Sequence, residues 1–399
     1  MNTAQEHQVS IFGQTNFRDT HKLFGIRQAD RMAHMYVIGK TGTGKSTMLH
    51  TLIRQDIESG RGMALIDPHG DLVEVVASEV ADNRRADLLY FDVTDASRPM
   101  AFNPLQNVLP EKRALAAAGL LEVFKKIWAD TWGPRLEHIL RNTLLTLLDQ
   151  PQATLADILR LLDDYRYRRE AIARVENRHV RDFWLREYEA YPERYRVQVI
   201  APIQNKVGAF LSNPILSRIL TQPQSDFDMR SLMDKGKILL VNLAKGKIGE
   251  DATALMGALL VSSLGLTALS RAGTPADDRR PFFLYLDEFQ TFATLSLANM
   301  LSELRKYGLG MVLAHQYLDQ IDNEIRDAIL GNVGTVITFR LGLSDAQYLS
   351  KEFHPVFSGT DLINLPNYNV YLKLMIDSVV SRPFSARMIA PSELFESSL

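Results

Sequence analysis

The sequence predicts an α/β fold, a mostly parallel sheet flanked by helices, interrupted by one all-α domain. Three observations carry that prediction. From Met35 to about residue 93, short apolar runs alternate with amphipathic stretches. Between residues 108 and 232 the strands stop and only helical spacing remains. The alternation then resumes from "KILLVNL" (237–243) to "YNVYLKLM" (368–375). Strand–helix alternation of this kind builds a parallel sheet with helices on both faces.

The expected organisation is therefore a lead-in over 1–30 with room for one strand, a first core segment over 31–107, an all-α insertion over 108–232, a second core segment over 233–390 and a tail over 391–399. In the first core segment, "MYVIG" reads as a strand, 45–59 as a helix, "GMALIDP" as a strand, 71–81 as a helix and "DLLYFDV" as a strand. The insertion opens with apolar residues at helical spacing over 111–149, broken at Gly133-Pro134. In "TLADILRLLDD", Thr154 and Asp157 stand where a helix start needs a hydroxyl and a carboxylate three residues apart. "EYEAYPERYRVQVIAPIQNKVGAFLSNP" continues as helix with proline interruptions. In the second core segment the strands "KILLVNL", "PFFLYLDEF", "GMVLAHQ", "TVITFRL" and "YNVYLKLM" are separated by helices at 250–271, 295–307, 322–330 and 344–352.

Composition sets limits. The chain has 399 residues, no cysteine and a formal charge of −2. Disulfides, cysteine-based zinc sites and thiol nucleophiles are excluded. Near-neutrality gives no bulk electrostatic case for nucleic acid, so any DNA contact must come from a local basic surface. The first 22 residues lack the apolar stretch of a secretory signal. The uncharged stretch "ATALMGALLVSSLGLTALS" (252–270) approaches the length of a membrane span. Its Ser, Thr and Gly, and its place between two strand-like runs, read instead as a crossover helix packed on a sheet. The expectation is a cytoplasmic chain.

The chemistry starts at "MYVIGKTGTGKSTMLH". Gly39, Gly44, Lys45 and Ser46 satisfy G-x-x-x-x-G-K-[ST] between a strand and a helix, with Gly42 as a further glycine and Thr41, Thr43 and Thr47 completing the loop. Glycines let successive backbone N–H groups turn toward phosphates, and the helix N-terminus adds its positive end. Lys45 is expected to neutralise the β- and γ-phosphates of ATP, and Ser46 to ligate Mg²⁺. "FFLYLDEFQTFAT" supplies the acidic partner: an apolar strand ending in Asp287, for Mg²⁺, and Glu288, to polarise the attacking water. The paired motifs point to ATP hydrolysis rather than binding alone. A signalling GTPase fits less well, because no Asn-Lys-x-Asp element follows.

Further segments narrow the class. "LIDPHGDL" (65–72), "FNPL" (102–105) and "SELRKYGLGMVLAHQYLDQI" (302–321), in this order and spacing, resemble the FtsK/HerA superfamily of DNA-pumping motors. The chain is most similar to the conjugative coupling proteins of type IV secretion, the TraD/TraG group, including "FKKIWADTWGPRLEHILRNTLL" and "APIQNKVGAFLSNP" in the insertion. The resemblance implies a RecA-like P-loop NTPase core and a homo-oligomeric ring, usually hexameric, with ATP between neighbours and DNA in the pore. It also implies that Arg305 enters the adjacent subunit's site, with Arg340 as second candidate, and that Gln316 senses the γ-phosphate or orients water. Arg305 also reads as part of a solvated helix face beside Lys306, and Gln316 as a polar strand end. Coupling proteins commonly carry N-terminal membrane helices, and none is found here. The expectation is a soluble relative or a motor domain recruited to the membrane's inner face by partners.

Other residues stay open at this level. His69 and Asp71 lie at a strand end and read equally as loop-holding groups or as turn residues. Lys245 and Lys247 suit a backbone-tracking pore loop or a solvated turn. Trp128, Trp132 and Trp184 read as packing, and the mixed-charge stretch "DDYRYRREAIARVENRHVRDFWLREYE" as a solvated or partner-docking face. The alternative function is an ATPase adaptor that recruits or gates a protein partner, a secretion substrate, a relaxase or a nuclease, with DNA incidental.

Overall fold

The computed structural model describes residues 8–17 and 21–395. The lead-in's first seven residues, its residues 18–20 and the tail's 396–399 lie outside the described residues. The chain divides into two compact units: residues up to Phe91 with Arg230–Leu243 and the chain from Arg271, and, separately, Asp92–Met229 with Ala244–Ser270.

The first unit is built on a sheet of eleven strands. In chain order these are β1 (Val9–Thr15), β2 (Leu23–Arg27), β3 (Met35–Ile38), β4 (Gly62–Asp67), β5 (Leu88–Asp92), β6 (Ile238–Asn242), β7 (Phe282–Leu286), β8 (Leu309–His315), β9 (Thr335–Thr338), β10 (Asn369–Lys373) and, after a small hairpin of β11 (Met375–Ile376) and β12 (Val379–Val380), β13 (Phe384–Met388). Their spatial order is β2-β1-β13-β10-β9-β3-β8-β7-β4-β6-β5. From β6 through β4, β7, β8 and β3 to β9 the pairings are parallel. β10, β13, β1 and β2 extend the sheet by antiparallel pairings.

Strands β3, β4, β6, β7 and β8 are buried at every residue, as apolar runs covered on both faces must be. Alternate residues of one face (Met35, Val37, Met63, Leu65, Val312, Ala314) share a core cluster with Met48, Leu49, Leu52 and Ile53 of helix α1 (Lys45–Glu58) and Val73 and Val76 of helix α2 (Asp71–Glu79). Inside this face lies a fully buried ion pair. Arg31 donates to both Asp56 carboxylate oxygens at 2.7 and 2.9 Å, and Arg61 adds a bond at 2.8 Å. The Arg31 guanidinium also lies over the Phe283 ring at 3.8 Å.

The lead-in is more regular than expected: it supplies two strands, the edge strand β2 and its neighbour β1, and β13 is a further strand that the sequence pattern does not announce. β2 pairs locally with β1, whereas β1 and β13 pair across nearly the whole chain. At Gly25 in β2 a Cβ would stand 2.1 Å from the Ser10 carbonyl oxygen, so the glycine that weakens the strand pattern is what allows the close pairing.

The second unit is helical. It contains α3 (Arg113–Ile127), α4 (Pro134–Leu148), with Pro134 at its first turn, α5 (Glu193–Leu211), which continues through Pro202, and α6 (Glu250–Leu269). Trp128 and Trp184 are core residues, the Trp184 indole N–H donating to Thr146 Oγ1 at 2.7 Å. Thr154 and Asp157 form the expected local bond, the Thr154 amide donating to Asp157 at 2.8 Å. Helix α6 belongs to this unit and not to the α/β core. It packs on α3, where a Cβ on Gly119 would stand 2.8 Å from Ser262 Oγ. Residues Glu250–Gly273 have the length and apolarity to cross a membrane, yet 78% of that window is buried inside the protein.

Candidate nucleotide site

The phosphate loop leaves β3 at its C-terminal end and is anchored on both sides. The Gly39 amide donates to the His315 carbonyl of β8 at 3.3 Å, and the Lys40 amide to the Arg340 carbonyl beyond β9 at 2.9 Å. Gly42 and Gly44 have φ of +73° and +117°, conformations that side chains rarely adopt. At Gly39 the constraint is spatial, because a Cβ would stand 2.5 Å from Phe339 Cβ. Thr43 closes the loop, its hydroxyl donating to the Lys40 carbonyl at 2.7 Å. Thr41 and Ser46 are exposed and Thr47 is half-buried at the start of α1.

Lys45 is 6% exposed and its ammonium is held by the carbonyls of Gly39 (2.6 Å) and Lys40 (3.2 Å), with no ion pair among the described residues. Burial holds its pKa below the ordinary lysine value, against the pull of Glu288 and Asp287. Facing it, Asp287 directly follows β7 and is 9% exposed. Burial, then the neighbouring charges of Asp67 and Glu288, push its pKa up to about 6. A buried ammonium without a carboxylate partner fits an anion such as a triphosphate. A buried carboxylate without a cation partner fits a divalent metal, with the exposed Ser46 hydroxyl as a second oxygen donor.

Glu288 follows in the left-handed region, φ 47° and ψ 47°, and its carboxylate is gripped from two sides. Gln316, one residue beyond β8, donates from Nε2 to Oε1 at 2.6 Å, and Gln290 donates to Oε2 at 2.6 Å. Two neutral donors fix the carboxylate without a countercharge, so it keeps lone pairs free for a water.

Of the residues singled out in the sequence, the structure brings together the loop 39–47, Asp287, Glu288 and Gln316. Arg305 is elsewhere. It opens a one-turn helix at the opposite, N-terminal end of β8, exposed and without a side-chain partner among the described residues. It lines a 350 Å³ cavity with Arg61, Arg279, Arg280 and Lys306. Arg340 is half-buried beside its own phosphate loop, its guanidinium reaching the Leu365 carbonyl at 3.5 Å. His69 and Asp71 are exposed. The group that holds their loop is Asp67, which accepts the amides of His69 at 2.8 Å and Leu72 at 2.9 Å. Lys245 is tied to Glu250 at 2.9 Å. Gln290 and Asp67 escape a reading of the sequence. The only available signal is that each lies within two residues of a motif carboxylate or histidine.

The model of the type IV secretion-system coupling protein DNA-binding domain matches residues 23–355. The chain belongs to this family. Its fold is similar to that of the bacterial conjugative coupling protein TrwBdeltaN70, at 16% identity and a TM-score of 0.68 over 97% of this chain and 90% of that one. The plasmid coupling protein TrwB in complex with ADP and Mg²⁺ matches at 16% identity and a TM-score of 0.67, over 97% and 91%. VirB4 of Thermoanaerobacter pseudethanolicus matches at 15% identity and 0.65, over 98% of both chains. No curated protein sequence is significantly similar. The resemblance to coupling proteins and the P-loop α/β fold read from the sequence are both borne out.

Proposed function

We propose that this coupling-family chain is an ATP-driven DNA translocase that works as a ring, hexameric as the family resemblance implies, and hydrolyses ATP between neighbouring subunits. Lys45 neutralises charge on the phosphates, and Ser46 and Asp287 hold Mg²⁺. Bound Mg²⁺ supplies further neutralisation of the phosphate oxygens. Glu288, held by Gln316 and Gln290, takes the proton of the attacking water. Arg305 of one subunit stabilises the transferring phosphoryl group in the next.

The observation that carries this reading is the separation of Arg305 from the rest of the site. Seven residues of β8 lie between the Arg305 turn and Gln316. At the usual strand rise this is roughly 20 Å, so Arg305 cannot serve its own phosphate loop. An exposed, unpaired guanidinium on the far edge of the sheet is available to a second copy of the chain.

The test is the steady-state ATPase rate without DNA, with single-stranded DNA and with linear duplex, at two salt concentrations, using Glu288→Gln as blank. Stimulation that weakens with salt supports the motor. A DNA-indifferent rate from an intact ring would favour the adaptor reading. One observation points that way: Asp182 is bracketed by Arg178 and Arg186 on the helical unit's exposed surface, leaving less uncompensated positive charge there.

A further inference from the structure

We propose that Tyr368 is the stacking platform for the nucleobase of the bound nucleoside triphosphate, an inference that rests on the nucleotide-binding reading of the phosphate loop. Tyr368 begins the turn into β10, and its backbone is locked to that loop: its amide donates to the Thr43 carbonyl at 2.8 Å. Its carbonyl accepts the Met388 amide at 2.7 Å. Between these bonds it is held at φ 63°, a left-handed conformation uncommon for a bulky residue. The ring is brought against the start of α1, where a Cβ on Gly44 would stand 2.8 Å from Tyr368 Cδ1.

Two aromatic rings flank the loop, and they differ in kind. Phe339 is completely buried and forms its floor. Tyr368 is 46% exposed, and its hydroxyl has no partner among the described residues. An exposed aromatic face fixed by two backbone bonds is costly for a merely structural role, and a base stacked on it would cover the apolar area.

The sheet order gives the direction. With the phosphates over residues 39–46, the γ-phosphate must face Glu288 and Gln316, which lie at the ends of β7 and β8 on one side of β3. The α-phosphate, ribose and base therefore run to the other side, across β9 to the start of β10, which is antiparallel to β9 and where Tyr368 stands. Stacking uses the π-face that every base has, so Tyr368 adds affinity without choosing strictly among bases.

Affinities of Mg²⁺ with a non-hydrolysable ATP analogue and with inorganic tripolyphosphate are to be measured for the wild-type chain, Tyr368→Gly and Tyr368→Phe. Glycine is at ease at positive φ, so Tyr368→Gly deletes the ring while keeping the turn. It should bind the ATP analogue about ten-fold more weakly, within the range of one lost base stack, and bind tripolyphosphate as the wild type does. Tyr368→Phe should match the wild type for both. Unchanged analogue affinity in Tyr368→Gly overturns this inference alone. So does an equal loss for both ligands, which would make the ring a prop for the loop. Failure of the wild type to bind either ligand overturns the nucleotide reading and this inference with it.

Discussion

Glu288→Gln is the substitution that separates binding from chemistry. The carboxylate accepts one amide donor on each oxygen, Gln316 on Oε1 and Gln290 on Oε2, both at 2.6 Å. A glutamine has the same volume and the same backbone preference, so the left-handed turn at 288 is retained. It offers one acceptor oxygen where the carboxylate offers two, so one of the two donors meets an NH₂ group. It also cannot accept the water's proton. Removal of a positioned general base lowers kcat by about 10²–10⁴-fold, equivalent to roughly 3–5 kcal/mol of transition-state stabilisation. Neither Lys45 nor the phosphate loop is touched, so nucleotide affinity should stay within about three-fold of wild type. Phosphate release under saturating Mg²⁺-ATP measures the first quantity and equilibrium titration with nucleotide the second. A kcat within about three-fold of wild type would refute the assignment. Gln316→Ala is the companion. It leaves Gln290 in place and should lose about ten-fold in kcat, because the base remains but is held from one side only.

Lys45→Ala should abolish turnover, and Arg305→Ala should do so with nucleotide binding intact; mixing the two proteins should restore part of the rate, and no recovery at any ratio counts against catalysis in trans. Asp287 carries the pH dependence. With its folded pKa raised to about 6, its proton stabilises the free chain at low pH, and that contribution is lost as pH rises through 6. Mg²⁺ needs the ionised form, so the Mg²⁺ concentration for half-maximal rate should climb below pH 6, approaching ten-fold per unit, and a pH-independent requirement would contradict the site. Asp56→Ala removes the only carboxylate bonded to the fully buried Arg31 among the described residues and should cost about 3–5 kcal/mol in urea denaturation, with a loss under about 1 kcal/mol contradicting the account.

The parts of the site that could be read in the sequence are those whose chemistry is local. The phosphate loop is one contiguous turn, and Asp287 and Glu288 follow an apolar run that can only be a buried strand. Tyr368 and Gln290 were not legible for a common reason. Each acts through a left-handed residue, Tyr368 itself and Glu288 before Gln290, and a non-glycine at positive φ leaves no mark in composition or periodicity. Asp67 lies inside the quoted motif, but its buried carboxylate turns back to hold α2's first turn. Of the antiparallel flank, β10 and one lead-in strand were expected; β13 was missed because it is short and takes one of its partners, β1, from the other end of the chain. Helix α6 is apolar all round, which fits a crossover on a sheet as well as a helix wedged among helices; the close approach at Gly119 decides between them. Pro202 misled in the opposite sense. It is unfavourable in a helix interior by roughly 3 kcal/mol. The buried Val199, Ile200, Ile203 and Val207 around it hold α5 together regardless.

The charge balance of the site gives a physical reason for the proposed dependence of hydrolysis on assembly. Around the phosphate loop, one buried ammonium, Lys45, stands near the carboxylates of Asp287 and Glu288, with Asp67 beside Asp287; burial first, and then the charges of Asp67 and Glu288, raise the Asp287 pKa. A triphosphate would add more negative charge than Mg²⁺ removes, and the developing charge on the transferring phosphoryl group worsens the imbalance at the moment of reaction. Besides the exposed Lys40 of the loop itself, two arginines are candidates. Arg340 is close in its own chain, but its guanidinium is turned to the Leu365 carbonyl and its backbone anchors Lys40, which ties it to holding the loop. Arg305 is unpaired and beyond reach of the loop in its own subunit. Under the proposed arrangement, a guanidinium delivered from a neighbour corrects the imbalance when two copies are docked, and the chain alone is expected to bind nucleotide better than it cleaves it. The recovery of activity expected on mixing Lys45→Ala and Arg305→Ala follows from the proposed arrangement: the first variant keeps a working arginine for its neighbour, the second keeps a working phosphate loop, and one competent interface per mixed pair would result.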